Sequence, residues 1–453
     1  MRTVKKQNYS LTEGPLFWNI IRYTIPIILT SILQLLFNAA DLVIVGRFCG
    51  SLSVAAVGAT GSITHLMVNF FVGLSAGAGV TVAHALGGRE NEAVHRTVHT
   101  AMAAAFVSGI ILTVLGVSCS KFFLTMMGTP ENVLPLSAVY MKIYFAGITF
   151  TMLYNFAAAI LRAAGDTKSP LIYLTIAGVV NVVLNVFFVT ALHMNVAGVA
   201  LATTISQGVS AALVIWALMR RTDACRFAFK KMRFYGLQMG KILRIGLPAG
   251  IQSSLFAISN VLIQSSINSF GDVFVAGNAA SANIEGFVYV TMNAFHQTAV
   301  NFTGQNVGAG KYDRVKKIFG YSLAGVAVAG MLVGSAAWFF GEQLLGIYIT
   351  DSAEAIAYGV VRLTYISLPY FVCGLMDVCT GSLRGMGASL TPMLISVLGV
   401  CGFRILWINT AFRAIHTPEC LYISYLISWT LTFAVQFLAF RKVYRQHTVR
   451  LAQ

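Results

Sequence analysis

Charge is scarce in this chain: 10% of its 453 residues are charged, against 57% that are hydrophobic. With a mean hydropathy of +0.76, such a composition cannot clothe a surface that faces water, so lipid is the solvent and a polytopic all-α membrane protein is the expected class. From Ser169 to Met219 there is no Asp, Glu, Lys or Arg, room enough for two spans of about 20 residues joined by a turn at His193-Met194-Asn195. The seven cysteines, at 49, 119, 225, 373, 379, 401 and 420, have no short paired spacing, which excludes a zinc ribbon and a disulfide framework. His95 and His99 are four apart, but no third ligand is near, so they read as a helix face. Also missing are a nucleophile elbow, a zincin motif and a phosphate loop. Gly87-Gly88 and Gly308-Ala309-Gly310 follow no strand and read as helix ends. The chain is therefore expected to be no enzyme and to need no cofactor. Met1–Glu13 lacks the pattern of a cleaved signal, and Trp18 and Tyr23 suit the interface at the start of a first span that doubles as the insertion signal.

What the chain does contain is a copy of itself. At a constant offset of 222, Pro26 falls on Pro248, Asn38 on Asn260, Gly88 on Gly310, Leu161-Arg162 on Leu383-Arg384, Gly165 on Gly387 and Pro170 on Pro392. Register kept through every intervening loop means the same number of crossings in each half. Spans are expected near 17–45, 52–82, 96–119, 136–160, 169–190 and 196–219, with counterparts near 241–268, 276–305, 316–340, 355–383, 390–412 and 418–440. The expected architecture is twelve transmembrane helices in two six-helix lobes related by a pseudo-twofold axis. The lobes are residues 1–222 and 241–453, joined by a basic cytoplasmic linker, 223–240.

Lys and Arg crowd alternate loops, which hold 24 of the 31 basic residues. They include Arg2, Lys5 and Lys6 at the start, eight between Arg220 and Arg244, and Arg441, Lys442, Arg445 and Arg450 at the end. By the positive-inside bias both termini should be cytoplasmic in a cell (inner) membrane, and topology explains the net charge of +16. Nucleic-acid binding would need that charge gathered on one folded face, so no nucleic-acid partner is expected.

Of fifteen acidic residues, only Asp41, Glu285 and Asp377 fall inside apolar spans, where a charge costs at least about 2.5 to 3.5 kcal/mol. Gln34, Asn38 and Asp41 share one face of the first span, Asn181 and Asn185 one face of the fifth, and Thr203 and Gln207 one face of the sixth. Any one of these pairs, alone, reads as interhelical hydrogen-bond glue. Together with an acid they form a candidate cation site, holding either a proton or a sodium ion, which prefers oxygen ligands. The second half places its acids elsewhere: Asp41 falls on Ile263, Glu285 on Ile63 and Asp377 on Asn155. Its eighth span carries Asn278, Glu285, Tyr289, Asn293 and His296 on one stripe, with Gln264 and Asn268 on the seventh. An acid beside an aromatic ring would attract a lipophilic cation, which makes Glu285, Tyr289, Asn293, Gln264 and Asp377 substrate-cavity candidates. Arg404 reads as the one clear mid-span basic residue, and Asp377 or Glu285 is its expected ion-pair partner.

The run Pro26-(x)7-Gln34-(x)3-Asn38-(x)2-Asp41-(x)4-Gly46, the repeated Leu161-Arg162-(x)2-Gly165-(x)4-Pro170, and Gln305-Asn306-Val307-Gly308-Ala309-Gly310 resemble the multidrug and toxic compound extrusion (MATE) transporters over nearly the whole chain. The resemblance implies two lobes around a V-shaped cavity. It also implies export of cationic or amphipathic small molecules in exchange for protons or sodium ions. By resemblance, Asp41 and Asn181 take two positions of the family's amino-terminal cation site, but Asn185 stands where the pattern often has a second acid. That departure removes a charge and ranks a proton above sodium. Phe256 occupies the place where another branch carries a Glu, so a carboxylate site of that kind is not expected. The expected protein is thus a monomeric multidrug antiporter working by alternating access. The alternative is a flippase for lipid-linked saccharides, whose anionic pyrophosphate would call for several cavity-lining Lys or Arg.

Overall fold

The structure, a computed structural model, describes residues 11–350 and 352–452; Arg2, Lys5 and Lys6 lie outside them. Twelve helical crossings run in chain order: α1 Leu16–Cys49, α2 Ser51–Gly87, α3 Asn91–Met126, α4 Leu134–Ala146 with Ile148–Ala163, α5 Lys168–Ala191 and α6 Asn195–Met219. Then follow α7 Gly236–Asn268, α8 Asp272–Gly308, α9 Tyr312–Phe339, α10 Ala353–Ser367 with Tyr370–Gly385, α11 Leu390–Ala414 and α12 Pro418–Val449. Among the described residues nine helices are long and apolar enough to cross a membrane alone, and the bent pairs α4 and α10 supply two more. The remaining one, α8, has the same 37-residue length as α2 but a more polar sequence, because its side chains meet partners inside the protein.

The repeat is visible in the backbone. The α4 pair is bent by 46° and the α10 pair by 40°, and the breaks fall at Gly147 and Pro369, which are 222 residues apart. The Leu-Arg-x-x-Gly motif closes each of these helices. Gly165 (φ 84) and Gly387 (φ 83) adopt the left-handed conformation that glycine tolerates best. This lets the next amide, of Asp166 or Ala388, donate back to the carbonyl of Leu161 or Leu383. The turn expected at 193–195 is present, with φ positive at His193 and Asn195.

By compactness the chain divides inside helices. One unit has Leu29–Gly250 as its main segment, and the other joins Ser10–Ile28 to Ile251–Gln453. Both divisions fall two residues past Pro26 and Pro248, the helix-interior prolines of α1 and α7. The expected boundaries at 222 and 241 mark the sequence repeat, whereas packing assigns the first part of α7 to the first unit. There α7 meets α2 backbone to backbone: a Cβ added at Gly73 would overlap Ala249 and Gly250, and one at Gly77 would overlap Ile242 and Gly246. Gly77→Val should therefore cost about 1–3 kcal/mol by overpacking, seen as a lower unfolding temperature in detergent; an unchanged temperature would show that α7 can move aside.

The basic linker is strapped to the first unit. The Ala228 amide donates to His99 Nε2 at 3.1 Å, and the Tyr235 amide to Thr100 Oγ1 at 3.1 Å. His99 Nδ1 meets the His95 carbonyl at 2.7 Å, so this histidine pair anchors the strap. Arg221 donates to Asp223, and Cys225 is fully buried beside Phe227. Burial pushes the Cys225 thiol up to about 12, and the reactive thiolate therefore forms only at strongly alkaline pH. A maleimide should leave Cys225 unlabelled at neutral pH in folded protein and label it after denaturation, as read by peptide mass spectrometry.

Candidate functional site

In the first unit the structure brings four of the expected polar residues together. Asp41 Oδ1 accepts from Asn185 Nδ2 at 2.5 Å, and Asp41 Oδ2 accepts from the Thr203 hydroxyl at 3.3 Å. Asn185 Nδ2 also donates to Asn181 Oδ1 at 3.2 Å, and Asn181 Nδ2 donates to Thr203 Oγ1 at 3.4 Å. The four side chains form a closed ring drawn from α1, α5 and α6. Asn185 is fully buried and Asn181 nearly so, while Asp41 and Thr203 are half-buried. Two acceptors nearby, Asn185 Oδ1 and Gln207 Oε1, are buried without a hydrogen-bond partner.

Local packing explains how α1 reaches this ring. Gly178 lies one turn before Asn181, and its missing side chain leaves room for the Phe37 ring, one turn before Asp41. Immediately after Asn185, α5 widens into a π-turn, Phe187–Ala191, a device that re-aims side chains and is frequent at functional sites. The Tyr140 phenol of α4 lies within electrostatic reach of Asp41. Sequence spacing gave no signal for Tyr140, because its helix has no polar stripe. Gln34 and Asn38 are exposed and take no part in the ring, although they share a helix face with Asp41.

The second unit departs from the sequence reading. Glu285 pairs with Arg362 and not with Arg404. Arg362 Nε donates to Oε1 at 2.8 Å and Nη2 to Oε2 at 2.7 Å, a two-pronged ion pair in which both residues are buried. Arg362 Nη1 also donates to Asn278 Oδ1, which in turn accepts from the Tyr422 hydroxyl at 3.0 Å. Arg404 has no carboxylate partner among the described residues. Its Nε donates to Ser428 Oγ at 3.1 Å and its guanidinium lies 3.9 Å from the Tyr425 ring centroid. The reading of Arg404 as the one mid-span cation therefore needs correcting: Arg362 and Arg384 are buried as well. Arg362 could have been found, since it falls within the expected tenth span.

Of the other candidates of this unit, Tyr289 lies beside Asn293 and within electrostatic reach of Asp377. Gln264 donates to Asn268, and both are exposed; Asn293 accepts from Gln297 at 2.8 Å; Tyr289 is 44% exposed. Asp377 is half-buried, and its backbone carbonyl meets His296 Nδ1 at 2.7 Å. Among the described residues no group of three or more His, Cys, Asp or Glu could hold a metal ion.

Twelve helical crossings, an internal repeat and a carboxylate ringed by amides and a hydroxyl define a membrane transporter. Comparison with known proteins agrees. The MatE family model matches residues 26–187 and again 248–408, the two copies of the repeat, and the chain belongs to that family. It is 27% identical over 399 residues to the probable multidrug resistance protein YpnP of Bacillus subtilis (strain 168), covering 86% of this chain and 87% of that protein. To the probable multidrug resistance protein YoeA of the same organism it is 26% identical over 426 residues, 92% of this chain and 90% of that one. Its fold is similar to that of a multidrug resistance MATE family transporter of the MOP superfamily solved in an outward-facing conformation. The TM-score there is 0.90 at 19% identity, over 98% of this chain and 100% of that one.

Proposed function

We propose that this protein is a secondary active exporter of cationic or amphipathic small molecules, residing in the cell membrane with both termini cytoplasmic and driven by the inward flow of protons or sodium ions through Asp41. The observation that carries the reading is the ring around Asp41, the one acidic side chain in the membrane-spanning part of the first unit that is held by groups from two other helices. An ion bound there changes what the ring can do. A carboxylate accepts from both Asn185 and Thr203; a protonated acid must donate one hydrogen bond, and the buried, unpartnered Asn185 Oδ1 becomes its acceptor when the amide rotates. A sodium ion would instead draw on oxygens of Asp41, Asn181, Asn185 and Thr203. In either case the contacts joining α1 to α5 and α6 are rewritten. Such differential contact is what an alternating-access cycle requires of its coupling ion.

The test is export of a fluorescent lipophilic cation from proteoliposomes under a proton gradient and, separately, a sodium gradient. Export driven by one gradient and lost in Asp41→Asn supports the reading and names the ion. Export undiminished in Asp41→Asn overturns Asp41 as the coupling residue, and no export by folded protein under either gradient overturns the antiport itself.

A further inference from the structure

The basic linker of the first unit carries apolar rings on its outer side. Between Arg220 and Arg244 stand eight Lys or Arg and a single acid, Asp223, which Arg221 engages at 2.9 Å. The inner side of the linker is packed: Cys225 and Phe227 are buried, and Met232 and Met239 lie against the same core. The outer side is open. Phe229 is 58% exposed, Phe234 49% and Leu237 70%, and Arg226, Lys230, Lys231 and Arg233 beside them are exposed too.

Topology accounts for the sign of this charge, but not for large apolar side chains left outside the fold among the charges. The linker joins α6, which ends at Met219, to α7, which begins at Gly236, so it lies where two spans leave the same membrane face. At that depth lipid can cover the rings while Lys and Arg extend to the headgroups, the pattern of a basic amphipathic segment at an interface. Trp216 marks the level near the end of α6: it is 47% exposed, with the Arg220 guanidinium 4.3 Å from its ring. The cations are also held in place. The Tyr235 ring has Arg233 at 4.6 Å and Arg96 of α3 at 5.5 Å from its centroid, and the linker backbone is tied to His99 and Thr100. Such a fixed set of charged donors suits a phosphate.

We propose that the linker, through Phe229, Lys230, Lys231, Arg233 and Phe234, is a docking surface for anionic phospholipid, the rings entering the bilayer and the cations binding headgroup phosphates. The proposal is independent of the export reading, since it needs only that α6 and α7 cross the membrane. Because the linker is bonded to α3 and continues into α7, a bound headgroup braces α3 against the start of α7.

The test places p-benzoylphenylalanine at Phe234 or at Phe229 in the full-length protein, in nanodiscs of equal phosphatidylcholine and phosphatidylglycerol, and identifies the lipid adducts formed on irradiation by mass spectrometry. Phosphatidylglycerol should be captured about fivefold over phosphatidylcholine, the factor expected of one Lys or Arg near an anionic surface. The same probe at Val114, exposed within α3, should capture the two lipids equally. Lys230→Gln/Lys231→Gln/Arg233→Gln should remove the preference at Phe234, as should salt of about 0.5 M, whereas Lys230→Arg/Lys231→Arg should keep it. Thermal unfolding checks that the variants are folded, and Lys230→Gln/Lys231→Gln carries the test if the triple variant is not. Absence of lipid adducts at both positions, capture in bilayer proportion, or a preference that survives neutralisation of the lysines would overturn the proposal. Inorganic phosphate distinguishes the source of the anion. If it raises the unfolding temperature in pure phosphatidylcholine nanodiscs as much as phosphatidylglycerol does, and removes the lipid preference, the cations serve a soluble phosphate and the lipid assignment falls.

Discussion

Asp41→Asn should reduce gradient-driven export to the level of protein-free liposomes while leaving the protein folded. The substitution is isosteric, and an amide can still accept from Asn185 through its oxygen, so the helix contacts survive. What disappears is the ability to carry a proton or to neutralise a cation, and no neighbour can supply it. Among the ring members on α1, α5 and α6, Asn181, Asn185 and Thr203 have no ionisable group in the physiological range. Rate measured against the gradient, together with the unfolding temperature, separates loss of coupling from loss of structure. Asn185→Asp gives the complementary result. Asn185 Nδ2 sits 2.5 Å from Asp41 Oδ1, and two carboxylates so close cannot both be ionised unless a cation lies between them. The variant should acquire or strengthen sodium dependence, read as export rate against sodium concentration at fixed pH.

The halves and their crossings were legible in the sequence because lipid imposes a coarse rule. Every span that faces lipid must be long and apolar, and a constant offset of 222 cannot be kept unless both copies hold the same number of crossings. The polar faces of α1, α5 and α6 were legible for a similar reason, since spacing by three or four fixes which side chains share a face. Which faces then meet was less accessible. Asp41 and Asn185 are 144 positions apart and Glu285 and Arg362 are 77 apart, and helical periodicity says nothing about distances of that kind. Arg404 illustrates the limit. A buried arginine in an apolar span implies a partner, and the nearest acids were the reasonable choice, but aromatic rings and a serine hydroxyl hold it instead. Gln34 and Asn38 show the same limit from the other side, because a shared helix face does not make a shared site. The extended polar stripe on α8 was read as a cavity lining; much of it is internal bonding that replaces water for a helix too polar to face lipid.

Breaking the Glu285–Arg362 pair should produce the largest loss of stability available from a single substitution in the second unit. Both side chains are nearly inaccessible, and removing either leaves a full charge without solvent or counter-ion, at a cost of about 3–5 kcal/mol. Arg362→Met strands Glu285 and leaves Asn278 and Tyr422 with each other alone. Glu285→Leu strands Arg362, whose remaining contacts are Asn278 and the face of Tyr422, 5.8 Å from the guanidinium. The double variant removes both charges and replaces them with apolar side chains that the surrounding core, which includes Ile284 and Val288, can accept. Thermal unfolding in detergent should therefore rank wild type and the double variant close together, with both single variants far below. That order would identify the pair as structural and remove Glu285 from the substrate path. If the double variant were as unstable as either single one, the geometry of the pair, and not its charge balance, would be what the fold requires. If instead Glu285→Gln left the unfolding temperature unchanged and stopped export, the pair would have to open during transport, and the second unit would contain a charge-operated switch of its own.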